Sequence, residues 1–136
     1  MSQTNNVDAL LTRLKAATGN DREIDRLIDE AARSLTGDAD AGDDAGIPRY
    51  TSSVDLSLDL IHRLRPGWHW HTGFGVKGIT PYASLSEDSN SDDAERFEAS
   101  APTVPLALLI TLFEALSKAG NAQFVTNVTP TALSKP

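Results

Sequence analysis

With 136 residues, 40% of them hydrophobic and 23% charged, the chain has material for one globular domain and not for two comfortable ones. It has no cysteine, which excludes a disulfide framework and any cysteine-based nucleophile or metal site and fits a reducing compartment. Its net charge of −7 is repelled by phosphate backbones, so direct nucleic-acid binding is disfavoured and docking onto a basic protein surface is favoured.

The first six residues carry neither a basic side chain nor an apolar run, so no secretory or transit leader is expected there. Val7, Leu10, Leu11 and Leu14 then recur at helical spacing after the capping candidates Asn5 and Asn6, and Gly19 is a natural stop. Asp21 caps a second predicted helix, whose apolar stripe is Ile24, Leu27, Ile28, Ala31 and Leu35. Its predicted outer face carries Arg22, Asp25, Arg26, Asp29 and Arg33, with Asp29 and Arg33 an attractive i,i+4 pair. Residues 36–46 hold no large apolar group and read as an acidic linker. The aspartates there lack the spacing and the closing glutamate of a calcium loop.

The main unit begins at Ile47. Ser52 and Asp55 form a capping-box-like start to a helix with Val54, Leu58 and Ile61 on one face and an Asp59–Arg63 pair outside. Arg65-Pro66-Gly67 ends it. Residues 68–74 alternate strictly, so a strand is predicted with Trp68, Trp70 and Phe74 on its core face and His69 and His71 on the other. Gly73, Gly75 and Gly78 form a hairpin turn, and a second strand runs from about Ile79 to Leu85, with Ala83 and Leu85 sharing a face. Pro81 points to an edge position or a late start of pairing. Residues 86–100, with Phe97 the only large apolar group, read as a long loop or hairpin tip. Thr103 caps a final helix with Pro105 in its first turn. Apolar nearly all round from Leu106 to Leu116, that helix belongs at the centre of the packing, against the Trp68/Trp70/Phe74 face. Lys118 and Gly120 close it, and residues 121–136 read as a tail. The run from Val104 to Phe113, broken only by Thr111, is about half of the roughly 20 residues a membrane span requires, so the expected location is cytoplasmic.

The predicted fold is therefore α+β. Two N-terminal helices (1–36) and an acidic linker (37–46) precede a helix–β-hairpin–helix core with a small antiparallel sheet (47–120), and a tail (121–136) follows. Whether the N-terminal helices pack on that core is left open by the sequence.

The residue types that carry chemistry are few. His69 and His71 project from one strand face and could share a metal, but zinc needs a third and usually a fourth ligand, and nothing places His62 or Asp59 near them. An outward polar face is the plainer account. No Gly-x-Ser-x-Gly elbow accompanies the serines. The carboxylate pairs Asp43/Asp44 and Asp92/Asp93 lie in linker-like segments, where nothing would perturb their pKa. Gly73-x-Gly75-x-x-Gly78 matches a dinucleotide fingerprint by letters, yet strand rather than helix follows it. Trp68 and Trp70 could form a ligand platform; core burial is the plainer account. No catalytic residue and no cofactor are expected.

Ile47-Pro48-Arg49-Tyr50-Thr51-Ser52-Ser53-Val54-Asp55, followed by Leu60, Pro66-Gly67-Trp68-His69-Trp70 and the Thr103–Leu116 apolar helix, resembles the small phage and prophage proteins with the phage ABA sandwich domain. The resemblance covers residues 47–116, about half the chain. It departs from the family pattern at Thr103-Val104-Pro105, where one residue separates Thr from Pro. It implies a phage or prophage origin and a role inside an infected cell, and it supplies no catalytic residues. The leading expectation is a non-enzymatic accessory protein that binds a host or phage protein, a nucleic-acid-binding one among the candidates, with inhibition of a bacterial defence system (anti-CRISPR-like) as the concrete version. The acidic residues Asp38, Asp40, Asp43, Asp44, Glu87, Asp88, Asp92 and Asp93 are the candidate contact surface. The alternatives are a phage structural or assembly component that self-associates through a sheet edge and a metal-dependent enzyme using His69 and His71.

Overall fold

The computed structural model describes residues 2–36, 46–75, 78–87 and 95–129, with side chains for 7–36, 46–75, 78–87 and 95–119. Four helices and one three-stranded antiparallel sheet make an α+β fold: α1 (Ser2–Ala16), α2 (Arg22–Thr36), a 3₁₀ turn (Tyr50–Ser52), α3 (Val54–Leu64), β1 (His69–Phe74), β2 (Pro81–Ser86), β3 (Arg96–Ser100) and α4 (Val104–Thr129).

The centre is α4. Thr103 accepts the Leu106 N–H at 3.3 Å through its Oγ1, and every residue from Leu106 to Phe113 is buried. Thr111, the polar member of that run, donates its hydroxyl to the Leu108 carbonyl at 2.7 Å, so no polar group is stranded. The helix packs on α1, on α3 and on the sheet, chiefly on β2 and β3. Each fully buried leucine here contributes about 1.5–3 kcal/mol relative to an exposed one. The helix also passes Gly120 and runs to Thr129, correcting the expectation that it closes there. A single glycine costs a helix only about 1 kcal/mol.

The first two helices belong to the same core. Val7, Leu10 and Leu14 of α1 and Ile24, Ile28, Ala31 and Ala32 of α2 join one apolar cluster with Leu60, Leu85 and Phe113. Lys15 reaches Glu114 of α4 at 3.2 Å, and Ser117 donates to Asp8. Asn5 and Asn6 lie inside α1 rather than capping it, because the helix starts at Ser2. The propensity cost of asparagine, under about 1 kcal/mol each, is offset by the docking of α1 on α4.

Asp21 caps α2 as expected, its Oδ1 accepting the N–H groups of Glu23 (2.9 Å) and Ile24 (3.2 Å). Asp25 and Asp29, however, are buried and not on an outer face. Asp25 Oδ1 accepts both the backbone N–H and the hydroxyl of Thr51, each at 2.8 Å, and Arg22 lies 3.0 Å from its Oδ2. Thr51 Oγ1 in turn accepts the Asp21 N–H at 2.8 Å. Arg22 also donates to the Ile47 carbonyl. This clamp fastens the start of α2 to the segment that leads into α3. Asp29 is held by Arg33 at 2.8 Å.

The 3₁₀ turn uses up Ser52, whose hydroxyl bonds to the Arg49 carbonyl, so the cap of α3 is Ser53, accepting the Leu56 N–H at 3.1 Å. The expected cap is thus displaced by one residue. The Asp59–Arg63 pair is present at 3.4 Å. After α3, Trp68 N–H bonds to the Arg65 carbonyl at 3.2 Å around Pro66 and Gly67. Gly67 has φ +85°, the left-handed conformation that favours glycine at this turn position.

In the sheet, Trp70 pairs with Leu85 and Leu85 with Phe97; Thr72 pairs with Ala83 and Ala83 with Ala99. Ala83 and Leu85 are fully buried under α4. The third strand falls where a loop was expected. Its alternation, Arg96-Phe97-Glu98-Ala99-Ser100, places only one large apolar residue beneath α4, too little to register as a strand by composition. Pro81 opens β2, which is the central strand and not an edge. Its missing N–H falls at the end of the sheet, while its carbonyl accepts from Ala101 at 3.2 Å. Among the described residues no helix is long and apolar enough to cross a membrane.

Replacing Asp25 with alanine removes the acceptor of the buried Thr51 N–H and hydroxyl and the carboxylate that faces Arg22. The expected loss is about 2–4 kcal/mol in a urea titration, and an unchanged midpoint would show that the clamp does not hold the helices. Buried Tyr50 has its pKa raised by desolvation, against the opposing hydrogen bond and charge of Arg63. Above the usual tyrosine value of 10.0 the unfolded chain sheds this proton while the folded chain keeps it. Stability therefore falls as pH rises past that point, until the folded pKa is reached. Melting temperatures of the native protein and Tyr50→Phe from about pH 9 to about pH 11 should show a shallower alkaline fall for the variant.

Candidate functional site

Strand alternation holds in β1, but its consequence differs from the expectation. Trp70, Thr72 and Phe74 pair with Leu85, Ala83 and Pro81, which puts them on the α4 side of the sheet. They are not packed on the helix: Trp70 is 40% exposed and Phe74 59%. The helix lies over β2 and β3 and meets β1 only marginally. A helix about 10 Å wide covers roughly two strands spaced about 4.8 Å apart, and β1 is the strand left over. Only Trp68, just before the strand, reaches the core: its ring stacks on Phe97 (centroids 6.3 Å, planes 20° apart) beneath the Arg65 guanidinium at 5.6 Å. Burial lowers the pKa of Arg65, with the charge of Glu87 opposing. Ile79, in the hairpin beyond Phe74, is 71% exposed.

Among the described residues, no strand pairs with the outer side of β1. Gly75 N–H bonds to the Thr80 carbonyl at 2.7 Å, which marks 75/80 as a hydrogen-bonded pair. Antiparallel alternation then directs the backbone groups of residues 69, 71 and 73 toward β2 and those of Trp70, Thr72 and Phe74 away from the sheet. No Lys, Arg, Asp, Glu or Pro occurs from His69 to Phe74 to guard this edge. The opposite edge, β3, carries Arg96 and Glu98 in a 3.8 Å ion pair.

His69 and His71 do share the outer face of the sheet, but their cross-strand neighbours are Ser86 and Ser84. The His71 ring lies against Tyr82, with centroids 5.7 Å apart. His62 and Asp59 belong to α3, which packs on α4. Among the described residues no group of three or more His, Asp or Glu is placed to hold a metal. Gly73, Gly75 and Gly78 serve the hairpin: Gly78 has φ +67° and donates to the Gly75 carbonyl at 2.8 Å, and strand follows. Gly73 sits under the Tyr82 ring, where a Cβ would lie 3.4 Å from the ring edge.

Of the acidic candidates, Glu87 is exposed at the end of β2, its N–H bonded to the Glu95 carbonyl at 3.1 Å. Asp38, Asp40, Asp43, Asp44, Asp88, Asp92 and Asp93 lie outside the described residues. A shallow recess of about 660 Å³ at the hairpin end of the sheet is lined by Phe74, Thr80, Tyr82 and Glu98. Its one carboxylate, Glu98, is exposed and paired with Arg96, an arrangement that supplies no partner for acid–base work. What the side chains and backbone jointly offer is a strand edge with aromatic groups on one side, suited to pairing with another strand. The signal for this in the sequence is the lack of charge and proline from His69 to Phe74, beside two aromatics two turns of the pleat apart.

Comparisons with protein-family models, with curated proteins and with solved structures find no match to this chain.

The two tryptophans should separate by mutation. Trp68→Ala is expected to cost about 2–4 kcal/mol in chemical denaturation, and Trp70→Ala less than about 1 kcal/mol. Equal losses would contradict the placement of Trp70 outside the core.

Proposed function

We propose that this chain is a non-enzymatic accessory protein that works by binding other proteins, with the open edge of β1 as its recognition element. The observation that carries this reading is the edge itself: Trp70 and Phe74 stand exposed beside outward-facing backbone groups, with no charge or proline to discourage a partner strand. Main-chain hydrogen bonds would supply affinity there, and the two aromatic rings specificity. The net charge of −7 steers such a protein toward a basic partner, with the acidic stretches 38–44 and 87–98 as the contributing segments. The resemblance of residues 47–116 to small phage proteins makes a host or phage protein the partner class, and a component of a bacterial defence system the concrete case.

Affinity capture from infected host lysate tests this. Trp70→Lys/Phe74→Lys is expected to reduce the captured partner about tenfold or more while leaving the melting temperature nearly unchanged, because both side chains are exposed. Neutralising the acidic residues of the two segments is expected to weaken capture mainly at low salt. Undiminished capture by the lysine variant would defeat the edge reading.

A further inference from the structure

We infer that the strand that pairs with β1 is β1 of a second copy, forming a two-fold symmetric, six-stranded antiparallel sheet across two chains; this rests on the reading of β1 as a docking edge. The strand is self-complementary in one register. The outward backbone groups belong to Trp70, Thr72 and Phe74, so a two-fold axis at Thr72 sets Thr72 opposite its own copy and Trp70 opposite Phe74 of the other chain. All three positions then form hydrogen-bonded pairs. On the α4 side each exposed indole meets an exposed phenyl ring, and threonine meets threonine, both favourable cross-strand pairs. On the outer face His71 falls opposite Gly73 and His69 opposite Gly75 of the other chain, so each imidazole meets a residue without a side chain rather than another imidazole.

Net charge opposes self-association, and edge charge selects between the two edges. Two copies of a chain with net charge −7 repel each other, and β1 brings no formal charge to the contact. The β3 edge would bring Arg96 and Glu98, already paired with each other. Area sets the strength. At 40% and 59% exposure, Trp70 and Phe74 offer on the order of 200 Å² of ring surface per copy. With the paired backbone the interface stays below the roughly 1,200 Å² of a standard complex. The dimer is therefore weak and concentration-dependent.

Analytical ultracentrifugation of the full chain should show the mass rising from 14.6 kDa toward twice that value as concentration increases from about 1 µM to about 1 mM. Trp70→Lys/Phe74→Lys should remain monomeric, and mixing it with Trp70→Glu/Phe74→Glu should restore the dimer, because the register places position 70 opposite position 74. The chain has no cysteine, so Thr72→Cys introduces a single thiol. Across the two-fold its Cα atoms would lie about 5.5 Å apart, within disulfide range. Mild oxidation should link Thr72→Cys into dimers at least about tenfold faster than His62→Cys on the exposed face of α3. A wild-type monomer throughout that range, or equal linking rates for the two cysteine variants, overturns the inference. If the native chain stays monomeric while the lysine variant loses its captured partner, the second copy is excluded and the docking edge stands. If the dimer forms in this register while the lysine variant still captures its partner, the dimer stands and the edge is not the partner's site.

Discussion

A helix that is apolar around its whole circumference has no face to give to water, and that constraint organises this protein. From Leu106 to Phe113 every side chain of α4 must be covered by something. One short sheet covers one side. The remaining circumference requires helices, and α1 and α3 supply them. The N-terminal helices are thus part of the core because α4 would otherwise present leucines to solvent. Their own apolar stripes, Val7/Leu10/Leu14 and Ile24/Ile28, need the same contact.

Burial fixes which surfaces meet but not the angle or register at which they do so, since apolar contact is non-directional. Directional polar bonds at the boundary of the core do that. Asp25 has its oxygens satisfied by two Thr51 donors and Arg22, and Thr51 ties back to Asp21. The carboxylate is withdrawn from water at little net cost because each charge-assisted bond is in place. The same segment carries Tyr50, whose hydroxyl meets Arg63 and whose carbonyl accepts from Ser57 of α3. A few residues, 50–53, therefore set α2, α3 and the start of the core against one another.

The same geometry that completes the core leaves β1 incomplete. A single helix spans two strands, so among the described residues a third strand of aromatic-containing sequence remains partly uncovered and unpaired on its outer side. Edges of this kind are ordinarily guarded by lysine, proline or a bulge; β3 carries charges and β1 does not. The exposed rings are the consequence of a narrow covering layer meeting an unguarded strand. They mark where the chain can still gain buried area by association.

Helical periodicity, the Asp21 and Thr103 caps, the Gly67 turn, the Trp68–Phe74 alternation and the all-apolar character of α4 were determined by local sequence, because each depends on spacing or on one residue's backbone preference. The sequence also limited the chemistry to a histidine pair and scattered carboxylates. Which aspartates are buried was decided only by tertiary structure: Asp25 lies on the charged side of α2 by periodicity, and becomes internal because Thr51, twenty-six residues away, brings donors to it. The third strand was equally hidden, since Phe97 and Ala99 acquire a core face only once α4 lies over them. The exposure of Trp70 and Phe74 followed from the width of the helix above the sheet. Alternation tells which side of a strand a residue occupies, but only the packed layers decide whether anything covers that side.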